Sequence, residues 1–163
     1  MAELKATFAA GCFWGPEVLF REIQGVRDAV VGYTGGHLDH PTYHEVCTGT
    51  TGHAEAVLVT FDPDVVSYRE LLSQFWAMHD PTTANRQGPD IGTQYRSAIF
   101  VHDEDQREAA LASRDEEQAR RRDGRRIVTE ICDADTFWMA EDYHQRFMEK
   151  RQQHFGLRRM FGH

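Results

Sequence analysis

The residues that could do chemistry begin with Cys12, which lies in the stretch Gly11-Cys12-Phe13-Trp14-Gly15. Pro16 follows, and proline suits the first turn of a helix because its missing N–H is not needed there. We therefore predict Cys12 at the start of a helix that ends at Gly25, where free N–H groups and the helix dipole favour thiolate over thiol. The alternative is an inert, buried thiol, but two flanking glycines give a backbone freedom that inert packing does not require.

Two long loops, residues 35–54 and 79–95, carry further polar groups that could serve a closed pocket. Glu55 directly precedes an apolar strand, so we expect burial to raise its pKa and make it an acid near neutral pH, the alternative being an ordinary exposed glutamate. Tyr43 lies in the first loop, and Asp90 and Tyr95 lie in the second. Either tyrosine could instead simply pack in the core.

The elements that must position these groups can be placed from periodicity and turn residues. Strands are predicted over residues 4–9, 26–33, 56–61, 97–101 and 127–131, and the later helices over 67–78, 104–122 and 140–154. Ser67, three residues before Glu70, is predicted to cap the second helix. The order predicts an α/β (α+β) fold, a mixed sheet with helices largely on one side, in a single domain spanning residues 1–163.

Composition narrows the classes of partner and compartment. The net charge of −8 argues against nucleic acid or an anionic membrane as the main partner, and no stretch has the length of a membrane span. Three cysteines are too few for a disulfide scaffold in 163 residues, so we expect reduced thiols and a cytoplasmic protein. We also expect it to act as a monomer.

Five motifs resemble the peptide methionine sulfoxide reductase A family. They are Gly11 to Glu17, Gly32 to Gly36, Pro41 to Cys47, Thr51 to Val57, and Gly92 to Ser97. The resemblance implies a ferredoxin-like α/β fold and reduction of the S epimer of methionine sulfoxide, free or in proteins. It also implies that no metal or organic cofactor is bound.

The resemblance also assigns roles to individual residues. It implies Cys12 as nucleophile, Glu55 as acid, Tyr43 and Tyr95 as donors to the sulfoxide oxygen, Asp90 as a substrate-orienting carboxylate, and Phe13 and Trp14 as the pocket for the methyl group. These types suit the reaction, because sulfoxide sulfur is electrophilic only when its oxygen is protonated or strongly hydrogen-bonded. Oxygen transfer would leave Cys12 as a sulfenic acid, which another thiol must reduce.

The chain departs from the family pattern at its C-terminal end. Many members resolve the sulfenic acid with a cysteine there, but no cysteine follows Cys132. We therefore predict a one-cysteine cycle, in which a small-molecule thiol or a thioredoxin- or glutaredoxin-like protein regenerates Cys12. Cys47 and Cys132 are expected to be packed, inert thiols.

Two other functions stay open on sequence alone. A zinc-binding module would use the cluster His37, His40, His44, Cys47 and His53, although its spacing does not form two paired knuckles. A thiol peroxidase would share the sulfenic acid chemistry but needs no donors for a sulfoxide oxygen.

Overall fold

The computed structural model describes residues 3–152. The strands are β1 Leu4–Ala10, β2 Val26–Thr34, β3 Ala54–Phe61, β4 Arg86–Gln87, β5 Asp90–Ile91, β6 Ser97–Val101, β7 Glu130–Asp133 and β8 Trp138–Met139. The helices are α1 Trp14–Arg21, α2 Tyr43–Cys47, α3 Tyr68–Ala77 and α4 Glu104–Arg120, with 3-10 turns at Thr93–Tyr95 and Asp142–His144. Residues 147–152 are also helical.

Six strands form one mixed sheet in the order β7-β6-β1-β3-β2-β8, and β4 pairs with β5 in a separate hairpin. Only the pair β6 and β7 is parallel among the described strands. A parallel pair requires a crossover connection, and α4 supplies it. The predicted class, a mixed sheet with helices, is confirmed.

The sheet has two unlike faces because side chains alternate along each strand. On what we call the helix face, Phe8, Val57 and Ile99 pack in one core with residues of the helices, among them Phe20, Leu71 and Ala110. On what we call the alanine face, a small cluster joins Ala9, Ala54, Ala56, Ala98 and Phe100, with Cys132, Ala134 and Phe137 against it. No helical residue belongs to this second cluster within residues 3–152.

Local sequence signals predict the start of α3 correctly but not the end of α1. Ser67 caps α3 by accepting a hydrogen bond from the Glu70 amide at 3.1 Å, as predicted. The prediction that the first helix runs to Gly25 is wrong, since α1 ends at Arg21. The Ile23 amide bonds to the Phe20 carbonyl at 3.1 Å, three residues back, so the helix tightens and turns into β2.

Other differences lie in the loops and towards the C-terminal end. The loop of residues 35–54 contains the short helix α2, and that of residues 79–95 contains the β4–β5 hairpin. The strand predicted over 127–131 is found at Glu130–Asp133, because the amides of Ile127 and Val128 bond to Gln118 and Pro81 instead of a strand. The helix predicted over 140–154 begins as a 3-10 turn, and its residues 153–154 lie outside the described residues.

Candidate active site

Cys12 lies between the end of β1 and the start of α1, as the sequence predicts. Gly11 has a φ of +90°, and a Cβ there would lie 2.8 Å from the Gln87 side chain, so only glycine fits this turn. Gly15 differs, because nothing lies within 4 Å of a Cβ built on it. The expectation that both flanking glycines are required is therefore supported at Gly11 only. The half-buried Cys12 thiol interacts with the Trp14 amide of the first helical turn.

The expectation that the helix start makes Cys12 a thiolate is wrong for the resting site. Burial raises the pKa of Cys12 to about 11, and the nearby carboxyl groups of Glu55 and Asp90 add to the increase. The Trp14 amide lowers this pKa, but less than burial raises it. The resting Cys12 side chain is therefore a protonated thiol beside acidic groups.

Glu55 lies on the helix face of β3 and is 1% exposed. The Phe13 amide donates a hydrogen bond to its Oε1 at 3.2 Å, which ties this carboxyl to the residue after Cys12. Its Oε2 is buried without a partner among residues 3–152. Burial raises the pKa of Glu55 to about 8, as expected from its position, so this carboxyl is largely protonated near neutral pH.

Tyr43, Tyr95 and Asp90 come from three different segments and meet around this acid. Tyr43 begins α2, whose start is fixed by a capping box between Thr42 and Glu45. Burial raises the pKa of Tyr95 to about 12, with the charges of Glu55, Cys47, Asp90 and Cys12 adding to it. The pKa of Tyr43 is also raised, first by burial. Both phenols therefore stay protonated and can donate hydrogen bonds.

The two aromatic residues after Cys12 have unequal surroundings. Phe13 is 1% exposed and packs against Tyr33 and His144, with ring centroids 5.8 and 5.2 Å away. Trp14 is half-buried and stacks on Phe147 at 3.8 Å. Trp14 therefore presents more of its surface to a ligand than Phe13 does.

Two site residues, Glu141 and His144, were missed by the sequence interpretation. Glu141 accepts hydrogen bonds from the Tyr33 hydroxyl and the Tyr43 amide, both at 2.8 Å. His144 is fully buried and accepts a hydrogen bond from the Trp14 indole at 3.0 Å. Both lie in the segment predicted as a polar helix, where an acidic residue and a histidine three positions apart were the available signal.

The other two cysteines differ from each other, and only Cys47 departs from the expectation of a packed thiol. Cys47 is exposed rather than packed, and its thiol is hydrogen-bonded to the Tyr43 hydroxyl. Cys132 is half-buried on the alanine face, and the register places it beside Phe100, which is itself beside Thr7 of β1. Two strand spacings, roughly 10 Å, separate Cys132 from β1, whereas a disulfide needs Cα atoms within about 7 Å.

Two histidines of the first loop, His53 and His40, make contacts within the protein. His53 is buried, accepts a hydrogen bond from the Gly36 amide at 3.0 Å and, by its other nitrogen, bonds the Leu38 carbonyl at 2.7 Å. His40 packs against Trp138. Within residues 3–152, no group of three histidine, cysteine or acidic side chains could hold a metal ion. The zinc-module interpretation therefore has no site in the described chain.

Comparison with known proteins decides the family. The family model described as peptide methionine sulfoxide reductase matches residues 4–160. The MsrA of Methanothermobacter thermautotrophicus is 63% identical over 148 residues, covering 90% of this chain and 86% of the relative. The chain belongs to the peptide methionine sulfoxide reductase family.

Solved structures agree with this membership in fold. The reduced form of Mxr1 from Saccharomyces cerevisiae has a TM-score of 0.86 at 39% identity, covering 93% of this chain and 87% of that one. Mxr1 in complex with Trx2 has a TM-score of 0.64 at 28% identity, covering 87% and 84%. The predicted family, and with it the predicted class of thiol-dependent oxidoreductase acting on methionine sulfoxide, are confirmed for this reductase.

Proposed function

We propose that this reductase reduces the S epimer of methionine sulfoxide, free and in proteins, with Cys12 as nucleophile and Glu55 as acid. The observation that carries the proposal is the buried Glu55 carboxyl, which is bonded to the Phe13 amide and keeps one oxygen without a partner among the described residues. A polar atom left unpaired in a buried site is costly, so a ligand oxygen that accepts its proton would stabilise the site.

The proposed step conserves atoms and electrons. The Cys12 sulfur attacks the sulfoxide sulfur while Glu55, Tyr43 and Tyr95 donate hydrogen bonds or a proton to its oxygen. A bond forms between the two sulfurs as the substrate's sulfur–oxygen bond breaks and its oxygen leaves as hydroxide or water. An oxygen at that level then bonds to the Cys12 sulfur while the sulfur–sulfur bond breaks, so that methionine leaves with the electron pair and Cys12 becomes a sulfenic acid. The Cys12 proton is released as the sulfur attacks, since the resting thiol has a pKa of about 11.

The proposed selectivity rests on the surroundings of Trp14. Its half-buried indole beside Phe13 offers an apolar wall for the methyl group, while the two phenols mark the side for the oxygen. A pocket that fixes the methyl group, the oxygen and the remainder of the substrate at three different places distinguishes the two sulfur epimers. Asp90, in the hairpin, would hold the remainder of the substrate.

Regeneration is proposed to use an external thiol of the thioredoxin type. The yeast neighbour forms a complex with Trx2, and Cys12 here is half-exposed, so a partner thiolate can approach it. Two external thiols would convert the sulfenic acid to thiol and water and leave as a disulfide. The alanine-face position of Cys132 supports a cycle without that cysteine.

An epimer-resolved assay with dithiothreitol tests the central proposal. We expect turnover of the S sulfoxide by the wild type and none by Cys12→Ser, with chelators having no effect. Equal rates in the two proteins would disprove the nucleophile. Faster turnover of hydrogen peroxide than of the S sulfoxide would favour the thiol peroxidase.

Mass spectrometry after one equivalent of sulfoxide tests the one-cysteine cycle. We expect a sulfenic acid on Cys12 that dimedone traps. An internal disulfide between Cys12 and the exposed Cys47 would replace this cycle with a two-cysteine one. Cys47→Ser is the matched variant, and it should trap the same amount of dimedone as the wild type.

The setting of the enzyme stays a prediction from sequence. Within residues 3–152, no helix has the length and apolar character needed to cross a membrane. The cysteines Cys12, Cys47 and Cys132 are all free, which supports a reducing compartment such as the cytoplasm. We keep the single domain, the monomeric state and the absence of nucleic acid as expectations.

A further inference from the structure

His144 occupies the centre of the aromatic side of the site. Its ring contacts those of Tyr43, Tyr143, Phe13 and Trp14, with centroids 4.3, 4.2, 5.2 and 5.7 Å away. The side chain is 0% exposed. Every residue that we assign to the methyl pocket therefore packs against this imidazole.

The hydrogen bond to Trp14 fixes the tautomer of His144. An indole N–H can only donate, so the Nδ1 atom, 3.0 Å from the Trp14 Nε1, must carry a lone pair. Neutral His144 then holds its proton on Nε2. That nitrogen is buried and has no partner within residues 3–152.

An imidazole with an unpartnered N–H is unfavourable if His144 only fills space. A buried N–H without a partner destabilises a fold, and a phenylalanine ring would fill similar space without that cost. What the imidazole supplies and phenylalanine cannot is an acceptor for the Trp14 indole.

The backbone around His144 is held on two sides of the site. The Gln145 side chain bonds both the amide and the carbonyl of Val31 in β2, at 2.9 and 2.8 Å. The Arg146 amide donates to the buried Glu17 carboxylate of α1, at 2.9 Å to Oε1. His144 is thus anchored to the sheet and to the helix that begins beside Cys12.

We propose that His144 is a positioning residue that orients the Trp14 indole through its Nδ1 lone pair and so sets the methyl pocket. This inference rests on the proposed function, because Trp14 is the wall for the substrate methyl group. It adds a residue that does not touch the substrate but determines where the wall stands. Phe147, stacked on one face of the indole, holds the same ring from the side.

Two variants separate orientation from packing. His144→Phe keeps a ring but removes the acceptor, whereas His144→Asn keeps an acceptor near the Nδ1 position. For His144→Phe we expect a thermal midpoint close to that of the wild type, because the change removes the unpartnered Nε2–H but leaves the Trp14 indole N–H without its acceptor. We expect KM for the S sulfoxide to rise about fivefold with kcat little changed, since the loss of one hydrogen bond weakens binding before and during reaction alike. His144→Asn should restore KM.

The NMR signal of the Trp14 indole N–H tests the inference without turnover. It should move upfield in His144→Phe and return in His144→Asn, while the signal of Trp76, bonded to Ser113 at 2.8 Å, stays fixed. An unmoved Trp14 signal in His144→Phe, or equal KM values in that variant and the wild type, would overturn the positioning role. A wild type that turns over no sulfoxide, with the Trp14 signal moving as expected, would instead refute the proposed function.

Discussion

Two half-buried cysteines, Cys12 and Cys132, lie on opposite faces of the same sheet. They are similar in burial but differ in the groups that surround them. Cys12, at the end of β1, is near ionisable groups from three other segments, Glu55, Asp90 and Cys47. Cys132, on β7, packs against the alanine face among apolar side chains. Burial raises the pKa of both thiols, so a raised pKa does not distinguish a reactive cysteine from an inert one.

What distinguishes the two thiols is the set of proton donors near each of them. A sulfoxide oxygen near Cys12 would meet one carboxyl and two phenols, all protonated near neutral pH by their raised pKa values. The same oxygen near Cys132 would meet the apolar cluster with Phe100 and Phe137 and the ion pairs Arg96–Glu130 and Arg107–Asp133, but no protonated carboxyl or phenol among the groups that act on this thiol. In the proposed mechanism, the groups around Cys12 activate the substrate rather than the thiol.

The sharpest test of this contrast replaces each cysteine with serine. Cys12→Ser should lower kcat/KM for the S sulfoxide by at least about 10³-fold, because no other described thiol on the helix face takes its position. Cys132→Ser should change it by less than about twofold. A steady-state assay measures both, and a large loss in Cys132→Ser would break the distinction between the faces.

The next largest effect is expected for Glu55→Gln, which keeps the shape but removes the acid. General acids contribute about 10²–10⁴-fold, so we expect kcat/KM to fall by at least about 10²-fold. The Phe13 amide keeps an acceptor in the glutamine oxygen, and circular dichroism checks that the fold is unchanged. Activity close to that of the wild type would remove Glu55 from the mechanism.

The pH profile gives a second, independent test of the same acid. A reaction that needs ionised Cys12 and protonated Glu55 has kcat/KM rising up to the lower pKa and falling above the higher one. The wild-type profile should therefore level off near pH 8 and fall only near pH 11. In Glu55→Gln the rise should continue past pH 8, up to the pKa of the thiol. A plateau at the same pH in both proteins would contradict the assignment.

A smaller loss is expected for the two phenols. Tyr43→Phe and Tyr95→Phe should each lower kcat/KM about tenfold, because each removes one hydrogen bond to the developing charge while two donors remain. KM for the sulfoxide should change less than kcat. Tyr68→Phe, at the buried Tyr68 away from the site, is the matched control and should keep full activity.

The smallest effect on activity is expected from the alanine face itself. Phe100→Leu should lower the free energy of unfolding by about 1 kcal/mol, since it leaves a cavity in the cluster opposite the site. Its kcat and KM should stay within about twofold of the wild type. Urea denaturation and the sulfoxide assay, run on the same preparation, separate the two quantities.

The sequence predicted most of what local signals control. The Ser67 cap, the strand Ser97–Val101 and the turn at Gly11 each depend on a few neighbouring residues, and the structure has all three. The burial of Glu55 was also predictable, because it opens a strand of apolar residues. The family motifs added the partners Tyr43, Asp90 and Tyr95.

What could not be predicted depends on contacts between distant segments. His144 lies 130 positions from Trp14, and the residues next to it in sequence do not predict its hydrogen bond to the Trp14 indole. The resting pKa of Cys12 was predicted in the wrong direction, because the helix start is local and visible whereas the burying residues are not. Strand β7 begins later than predicted, since Pro81 and Gln118 take the amides of the residues before it.

The raised pKa of Cys12 also affects how the resting thiol reacts with reagents other than the substrate. With a pKa of about 11, only about one thiol in 10⁴ is ionised at pH 7, four pH units below. Peroxides and alkylating agents react with the ionised form of a thiol. We therefore expect the resting thiol to react only slowly with the oxidants that create the substrate.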